Sequence, residues 1–384
     1  MTKNLTRLWT DGLQRLLTVR HAAPDASSRG VVGRKEGQSA RRPVGDRQGA
    51  SAAPRASRVG PREAAWAAGE WRRAVYPVPA GASGIGRTLP YGLYLPAGRP
   101  TAQMPLVVML HGCRQSADTF AEGTRMNLLA DRHGFAVVYP EQSESAHLHR
   151  CWHWYDEREH AGGAEFGAVV SLVDMLVATH GFDGSRVYVA GLSAGAGLAT
   201  LLAVHAPQRF AAVALHSGPV FGEARSTVAA MDVMRRGTRH DPVVLVERVV
   251  DVRAYPGMPA IIVQGDDDPV VAPVNADQLT VQFLRLNGLA DPRGVPLRGV
   301  ERRETQPGYA IRDFGRGGAS VVRECRVEGL DHAWSGGDET VPFHSATGPD
   351  ASEMIWRFFE GRRRKAARGV AAGASSGGEL ATQD

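Results

Sequence analysis

Short continuous apolar runs alternate along this chain with longer stretches of helical periodicity. Pro105–Leu110, Phe135–Tyr139, Val187–Ala190, Phe210–Leu215 and Pro259–Gln264 have the pattern of strands buried on both faces. Between and after them, Ala117–His133, Glu165–His180, the run beyond Gly195, Ala276–Asn287 and Glu353–Glu360 predict helices. Glu165, at the start of its helix, suits the helix dipole and reads as structural. Such alternation predicts the α/β class, with a mostly parallel central sheet flanked by helices. Two hairpins are expected at its margins. One pairs Ala74–Val78 with Leu89–Leu95 around a glycine-rich turn at Gly81–Gly86, and the other pairs Tyr309–Phe314 with Ser320–Glu328. Residues 219–255 read as an irregular, partly helical insertion over the C-terminal edge of the sheet.

The ends have another character. Residues 1–70 form a basic tail expected to be disordered, 71–361 the folded domain, and 362–384 a second disordered tail. Within 3–20, Leu5, Leu8, Trp9, Leu13, Leu16 and Leu17 recur at helical spacing. That segment is either an amphipathic docking element or a frayed terminal helix. Residues 21–65 hold too few large apolar side chains to offset chain entropy. The tail carries thirteen Lys/Arg against six Asp/Glu, a surplus larger than the whole chain's formal +5, so the other 314 residues sum to −2. With no basic, aromatic-interleaved stripe on the body, nucleic acid is not an expected partner. No run of about 18 apolar residues predicts a membrane-spanning helix. Arg7, Asp11, Arg15 and Arg20 interrupt any secretory apolar core. Oligomeric state is not legible.

Chemistry concentrates in Arg186–Ala203, RVYVAGLSAGAGLATLLA. A strand, a tight G-x-S-x-G turn and a helix place Ser193 at the apex, with the backbone N–H of Ala194 beside it at a helix N-terminus. Two readings stand: Ser193 is a nucleophile, or it is an ordinary helix cap. Another strand ends in His111-Gly112-Cys113, where the N–H of Cys113 is the candidate second oxyanion donor. A serine hydroxyl needs a base. His332 follows the last strand, and three aspartates follow the strand before it. Asp268 is the expected acid, with Asp267 as second choice, while Asp266 lies too near the strand and Asp331 adjoins His332 in the chain. His111 reads as a brace for its loop, and His216 falls too early in the fold. The order Ser193…Asp268…His332 is that of the α/β-hydrolase fold. No cluster of metal ligands is evident, so neither metal nor cofactor is expected.

The aromatic segment around Trp152 and Trp154 reads either as core or as the lining of a substrate cleft, and Trp334 joins it as a candidate substrate-binding residue. The strings LHGCRQSADTFAEGTRMN, VVYPEQ, RCWHWYD, RVYVAGLSAGAG, LHSG, VQGDDDPVV and GLDHAWSGG together resemble the poly(3-hydroxybutyrate) depolymerase family of esterases. This resemblance covers roughly residues 85–360. It implies a serine esterase acting on polyhydroxyalkanoate or short hydroxyacid esters, with Ser193, Asp268 and His332 as its catalytic set and Gly112-Cys113 as its oxyanion segment. Members named as acetyl-xylan or feruloyl esterases make a carbohydrate ester the alternative substrate, and a non-catalytic granule-binding role the remote one. Gly195-Ala196 departs from the family's Gly-Gly. Little sequence follows Gly361 to form a polymer-binding module, so weak attack on crystalline polymer is expected. Cys113 and Cys151 both fall in motifs of the family and are candidates to pair. Cys325 reads as a buried free thiol. By resemblance the protein is extracellular or periplasmic, with the cytoplasm as the alternative.

Overall fold

The computed structural model describes residues 68–79, 87–156 and 164–364. The tail helix expected at 3–20, the disorder expected at 21–65, and the Gly81–Gly86 turn lie outside the described residues, as do residues 365–384.

In chain order the elements are β1 (Glu70–Val78), β2 (Arg87–Leu95), β3 (Leu106–Leu110), α1 (Ala117–Thr124), α2 (Met126–His133), β4 (Ala136–Pro140), α3 (Ala164–His180), β5 (Val187–Leu192), α4 (Ala194–His205), β6 (Ala212–His216), α5 (Thr227–Arg236), α6 (Pro242–Glu247), β7 (Ala260–Gly265), α7 (Val274–Leu286), β8 (Glu301–Gln306), β9 (Tyr309–Arg316), β10 (Ala319–Val327), β11 (Trp334–Ser335), β12 (His344–Ser345) and α8 (Ala351–Phe359). Among the described residues the main sheet has the order β1-β2-β4-β3-β5-β6-β7-β10-β9-β8. Its middle, from β4 to β10, is parallel, and the hairpins β1–β2 and β8–β9–β10 close the two edges antiparallel. This is the predicted α/β-hydrolase architecture.

Apolar runs become central strands because both of their faces are covered. All residues of β3, β4, β5, β6 and β7 are buried. Val107, Met109, Val137, Tyr139 and Tyr188 pack in one cluster with Phe120 and Leu129 of the α1–α2 segment and Ile355, Trp356 and Phe359 of α8. Since side chains alternate along a strand, Leu106, Val108 and Leu110 turn to the opposite face. Helix α4 is buried from Ala194 to Val204, which explains why it is apolar all round. Cys325 is a buried free thiol, as expected.

Three expectations change. The helix predicted over 117–133 is two helices, because Arg125 adopts a left-handed conformation (φ 55°) and its N–H closes on the Ala121 carbonyl. Apolar spacing continues across that single residue, so periodicity does not register the break. Strand β8, ERRETQ, was not predicted. It is an exposed edge strand whose charges replace the usual alternation and discourage further pairing. Residues 362–364, expected in the disordered tail, bond to the body: Tyr188 donates to the Arg362 carbonyl (2.6 Å), and Arg363 pairs with Asp183 (2.9 Å).

Candidate active site

Ser193 sits between the end of β5 and the first residue of α4 at φ 55°, ψ −118°. A non-glycine residue there is strained, and surrounding structure must hold it. Two close approaches do so. A Cβ on Gly191 would lie 2.3 Å from the Gly195 carbonyl group, and one on Gly195 would lie 2.1 Å from the Leu110 carbonyl oxygen of β3. Only glycine lets the turn pack this tightly against its own helix and the neighbouring strand. The Ser193 N–H donates to the His216 carbonyl at 2.9 Å, tying the turn to β6. Its side chain makes no capping bond, which removes the alternative reading of Ser193 as an ordinary helix cap.

Next to this turn lies the segment after β3. A Cβ built on Gly112 would stand 3.5 Å from the Ser193 Cβ. Nearly every backbone N–H here has a partner. Gly112 donates to Gln115 Oε1 (2.7 Å), Arg114 to the His149 carbonyl (2.6 Å), Gln115 to the Gly112 carbonyl (3.4 Å) and Ser116 to Thr119 Oγ1 (2.9 Å). The Cys113 N–H donates to no protein acceptor among the described residues, nor does Ala194 N–H at the start of its helix. Cys113 is disulfide-bonded to Cys151 across a separation of 38 residues, with 4.3 Å between Cα atoms.

Asp268 and His332 follow β7 and β10, which lie on the opposite side of β5 from β3. Asp268 is buried at the end of β7, and His332 Nδ1 lies 2.8 Å from its Oδ2. Gln264 Nε2 also donates to Oδ2 (3.2 Å), while the N–H groups of Val270 (2.9 Å) and Val271 (2.8 Å) donate to Oδ1. Burial opposes the charge, yet the His332 ring and these N–H donors together hold the Asp268 carboxyl below its ordinary value. An ionised Asp268 accepts from His332 Nδ1, and in the neutral ring that tautomer leaves Nε2 bare. Asp266 and Asp267 are exposed, and their N–H groups are taken by the carbonyls of Val327 and Leu330. The structure thus brings Asp268 and His332 together. Among the described hydrogen bonds none joins Ser193 Oγ to His332, a contact that often tightens only once substrate is bound.

The tryptophans call for a correction. Trp152 and Trp334 are wholly buried and Trp154 nearly so. Trp152 Nε1 donates to the His111 carbonyl (3.0 Å), Trp334 Nε1 to Ser352 Oγ (3.1 Å), and Trp154 lies across Gly197, where a Cβ would fall 2.5 Å from its ring. The indole N–H groups of Trp152 and Trp334 find partners inside, so these residues belong to the core and offer no face to a ligand.

Sequence reasoning passed over several supports. His216 stacks on Trp334 (5.0 Å between ring centres), and its Nε2 accepts the Ser335 N–H at 3.1 Å, joining β6 to the loop that carries His332. Burial pushes the His216 pKa down to about 3, so the ring is neutral. Glu141 accepts from the Ala117 N–H (2.8 Å), Arg73 (2.8 Å) and Arg150 (2.9 Å) and so anchors the residue preceding Cys151. The positions of His216 and Glu141 at strand ends were the available signal. Among the described residues no group of three or more His, Cys, Asp or Glu side chains converges in a way that could hold a metal ion.

The chain is similar to several known esterases. A protein of Paucimonas lemoignei named poly(3-hydroxyalkanoate) depolymerase C is 34% identical over 62% of this chain and 57% of its own length. The chain thus spans little more than half of that relative. Feruloyl esterase B of Thermothelomyces thermophilus is 29% identical over 58% of this chain and 81% of its own. In structure, an acetyl xylan esterase from Aspergillus awamori superposes with a TM-score of 0.58 at 18% identity, covering 76% of this chain and 99% of that one, a likeness of fold. The family described as Esterase PHB depolymerase matches residues 89–307, more than half of the sequence, and the chain belongs to that family.

Proposed function

We propose that this protein is a serine esterase that hydrolyses ester bonds of polyhydroxyalkanoate, as 3-hydroxybutyrate polymer or oligomers, through an acyl-enzyme. The observation that carries this reading is the 2.8 Å bond between buried Asp268 and His332, which follow β7 and β10 in the sheet whose β5 ends in the strained turn of Ser193. In the proposed cycle, Ser193 Oγ attacks the ester carbonyl and its proton passes to His332 Nε2. The tetrahedral oxyanion accepts hydrogen bonds from the N–H groups of Cys113 and Ala194, each worth about 10²-fold or more in rate. The carbon–oxygen bond to the alcohol then breaks, and the leaving oxygen takes the proton from His332. Water, deprotonated by the same ring, attacks the acyl-enzyme, and the acid departs as Ser193 regains its proton. Asp268 keeps His332 in the required tautomer throughout.

A second reading keeps this chemistry and changes the substrate to a carbohydrate ester. It is favoured by the feruloyl esterase match, which covers 81% of that relative against 57% of the depolymerase. The Cys113–Cys151 bond supports an oxidising compartment, extracellular or periplasmic. The test compares p-nitrophenyl acetate, butyrate and octanoate with 3-hydroxybutyrate oligomers and acetylated xylan, using Ser193→Ala as control. Oligomer turnover that is absent in the variant is the expected result. Turnover of acetylated xylan alone moves the substrate to carbohydrate. Turnover undiminished in Ser193→Ala refutes the scheme.

A further inference from the structure

His111 lies at the C-terminal end of β3, wholly buried, one residue before the glycine that packs against Ser193. Its Nδ1 is 2.7 Å from the Gly112 carbonyl oxygen, and its Nε2 is 3.1 Å from the Gln142 backbone nitrogen. A carbonyl only accepts and a backbone N–H only donates, so the ring must be neutral, with its proton on Nδ1. Burial, with Arg150 and Arg73 nearby, pushes its pKa down to about 4 against the opposing pull of the Gly112 carbonyl and Glu141.

That carbonyl belongs to the same peptide unit as the Cys113 N–H. Every described peptide bond is trans, and in a trans unit the C=O and N–H point in opposite directions. Whatever grips the Gly112 oxygen therefore aims the Cys113 N–H the other way. The preceding unit is already fixed at both ends, by Trp152 Nε1 on the His111 carbonyl and Gln115 Oε1 on the Gly112 N–H. The following unit is fixed by Arg114 N–H on the His149 carbonyl. Apart from His111, the Gly112 oxygen is held by the Gln115 N–H at a long 3.4 Å. Glycine at 112 leaves the unit free to rotate if that grip is lost.

We propose that His111 is a positioning residue, which turns the backbone N–H of Cys113 toward the developing oxyanion by holding the carbonyl at the far end of its peptide unit. The inference rests on the reading of Cys113 N–H as an oxyanion donor. It assigns different tasks to the two ring nitrogens: Nδ1 sets the donor, and Nε2 anchors the ring to the β4 end through Gln142. An asparagine at this position places an amide nitrogen where Nδ1 stands and keeps the grip. A glutamine extends its amide toward Gln142 and gives the grip up, and a leucine removes both contacts.

The experiment measures kcat and KM on p-nitrophenyl butyrate, the inhibition constant of phenylboronic acid as a tetrahedral mimic, and Tm, for wild type, Ser193→Ala, His111→Asn, His111→Gln and His111→Leu. The expected result is a fall of about 10²-fold in kcat and in boronate affinity for His111→Gln and His111→Leu, the size of losing one oxyanion donor. KM should hold within about threefold, since only transition-state contacts are lost. His111→Asn should recover at least about tenfold of that loss, set against the same full-donor loss. Should His111→Leu fail to fold, the Asn and Gln variants alone decide. Equal kcat in those two, or unchanged boronate affinity in His111→Gln, overturns the positioning role while Ser193-dependent turnover leaves the esterase reading intact. Wild type without Ser193-dependent turnover overturns both.

Discussion

Replacing Asp268 with asparagine exchanges one carboxylate oxygen for an amide nitrogen at the centre of the hydrogen-bond set, and its consequences follow from which donors face which oxygen. Oδ1 accepts from the N–H groups of Val270 and Val271, so the amide oxygen of the introduced side chain must take that place. The amide nitrogen is then forced to face His332 Nδ1 and Gln264 Nε2, where Oδ2 accepted at 2.8 and 3.2 Å. Gln264 is unable to flip in response without abandoning the carbonyls of Gly265 and Val271. His332 responds by baring Nδ1 and carrying its proton on Nε2, the nitrogen that must be bare to accept from Ser193. A wrong tautomer of this kind costs about 10⁴-fold in kcat, equivalent to about 5 kcal/mol. Loss of a charge-assisted bond and the donor–donor contact with Gln264 should lower stability by about 2–3 kcal/mol. For a domain of this size that is a fall in Tm of about 5–10 °C. Because the Asp268 carboxyl is held below its ordinary value, its stabilisation is complete above the unfolded value and lost as pH falls through the folded one. The stability gap between wild type and variant should therefore close on acidification. Esterase kinetics at neutral pH and urea unfolding from about pH 7 down to about pH 2, a span that runs well below the ordinary aspartate value, measure both effects. A variant within about tenfold of wild-type kcat, far short of the wrong-tautomer loss, would refute the assignment of Asp268 and the tautomer argument with it.

Two further outcomes follow from the packing. Gly195→Ala would set a Cβ 2.1 Å from the Leu110 carbonyl oxygen and 2.6 Å from that of His111, backbone that is unable to yield without moving β3 from β5. Overpacking of this kind costs about 1–3 kcal/mol, and a shift of about 1 Å at the reacting groups costs about 10²-fold in rate; a variant with wild-type Tm and kcat would contradict the close-packing argument. Reducing the Cys113–Cys151 bond frees a loop of 38 residues in the unfolded chain, worth about 4 kcal/mol by loop entropy. Dithiothreitol should accordingly lower Tm by roughly 8–15 °C and kcat with it, and an unchanged Tm after thiol counting confirms reduction would contradict that account.

The sequence was most informative where one residue type is required by one local geometry. Gly191 and Gly195 bracket Ser193 because a side chain at either position meets backbone, and that constraint is visible as a motif. The five central strands were legible because burial on both faces demands unbroken apolar runs. Edge strand β8 was not, since an exposed edge is written in charges that read equally well as loop. The break at Arg125 was hidden for a different reason: one left-handed residue leaves helical periodicity intact on both sides.

The site divides along the same line. Chain order alone marked Ser193, then the aspartate cluster, then His332 as candidates, because strand ends in this fold carry functional groups in a fixed succession. Only the tertiary structure decided among neighbours. Asp266 and Asp267 face solvent while Asp268 turns inward to four donors, a distinction of backbone direction that composition does not encode. Trp152 and Trp334 pattern as well for a cleft as for a core, and their fate depended on whether distant partners, the His111 carbonyl and Ser352, came within reach of the indole N–H. His216 looked like an isolated histidine because it acts on a group brought near only by folding, Ser335 across 119 residues, while the brace expected of His111 gains its far anchor, Gln142, across 31. Local constraints are written locally, whereas the direction of a hydrogen bond is set by what the folded chain brings to its other end.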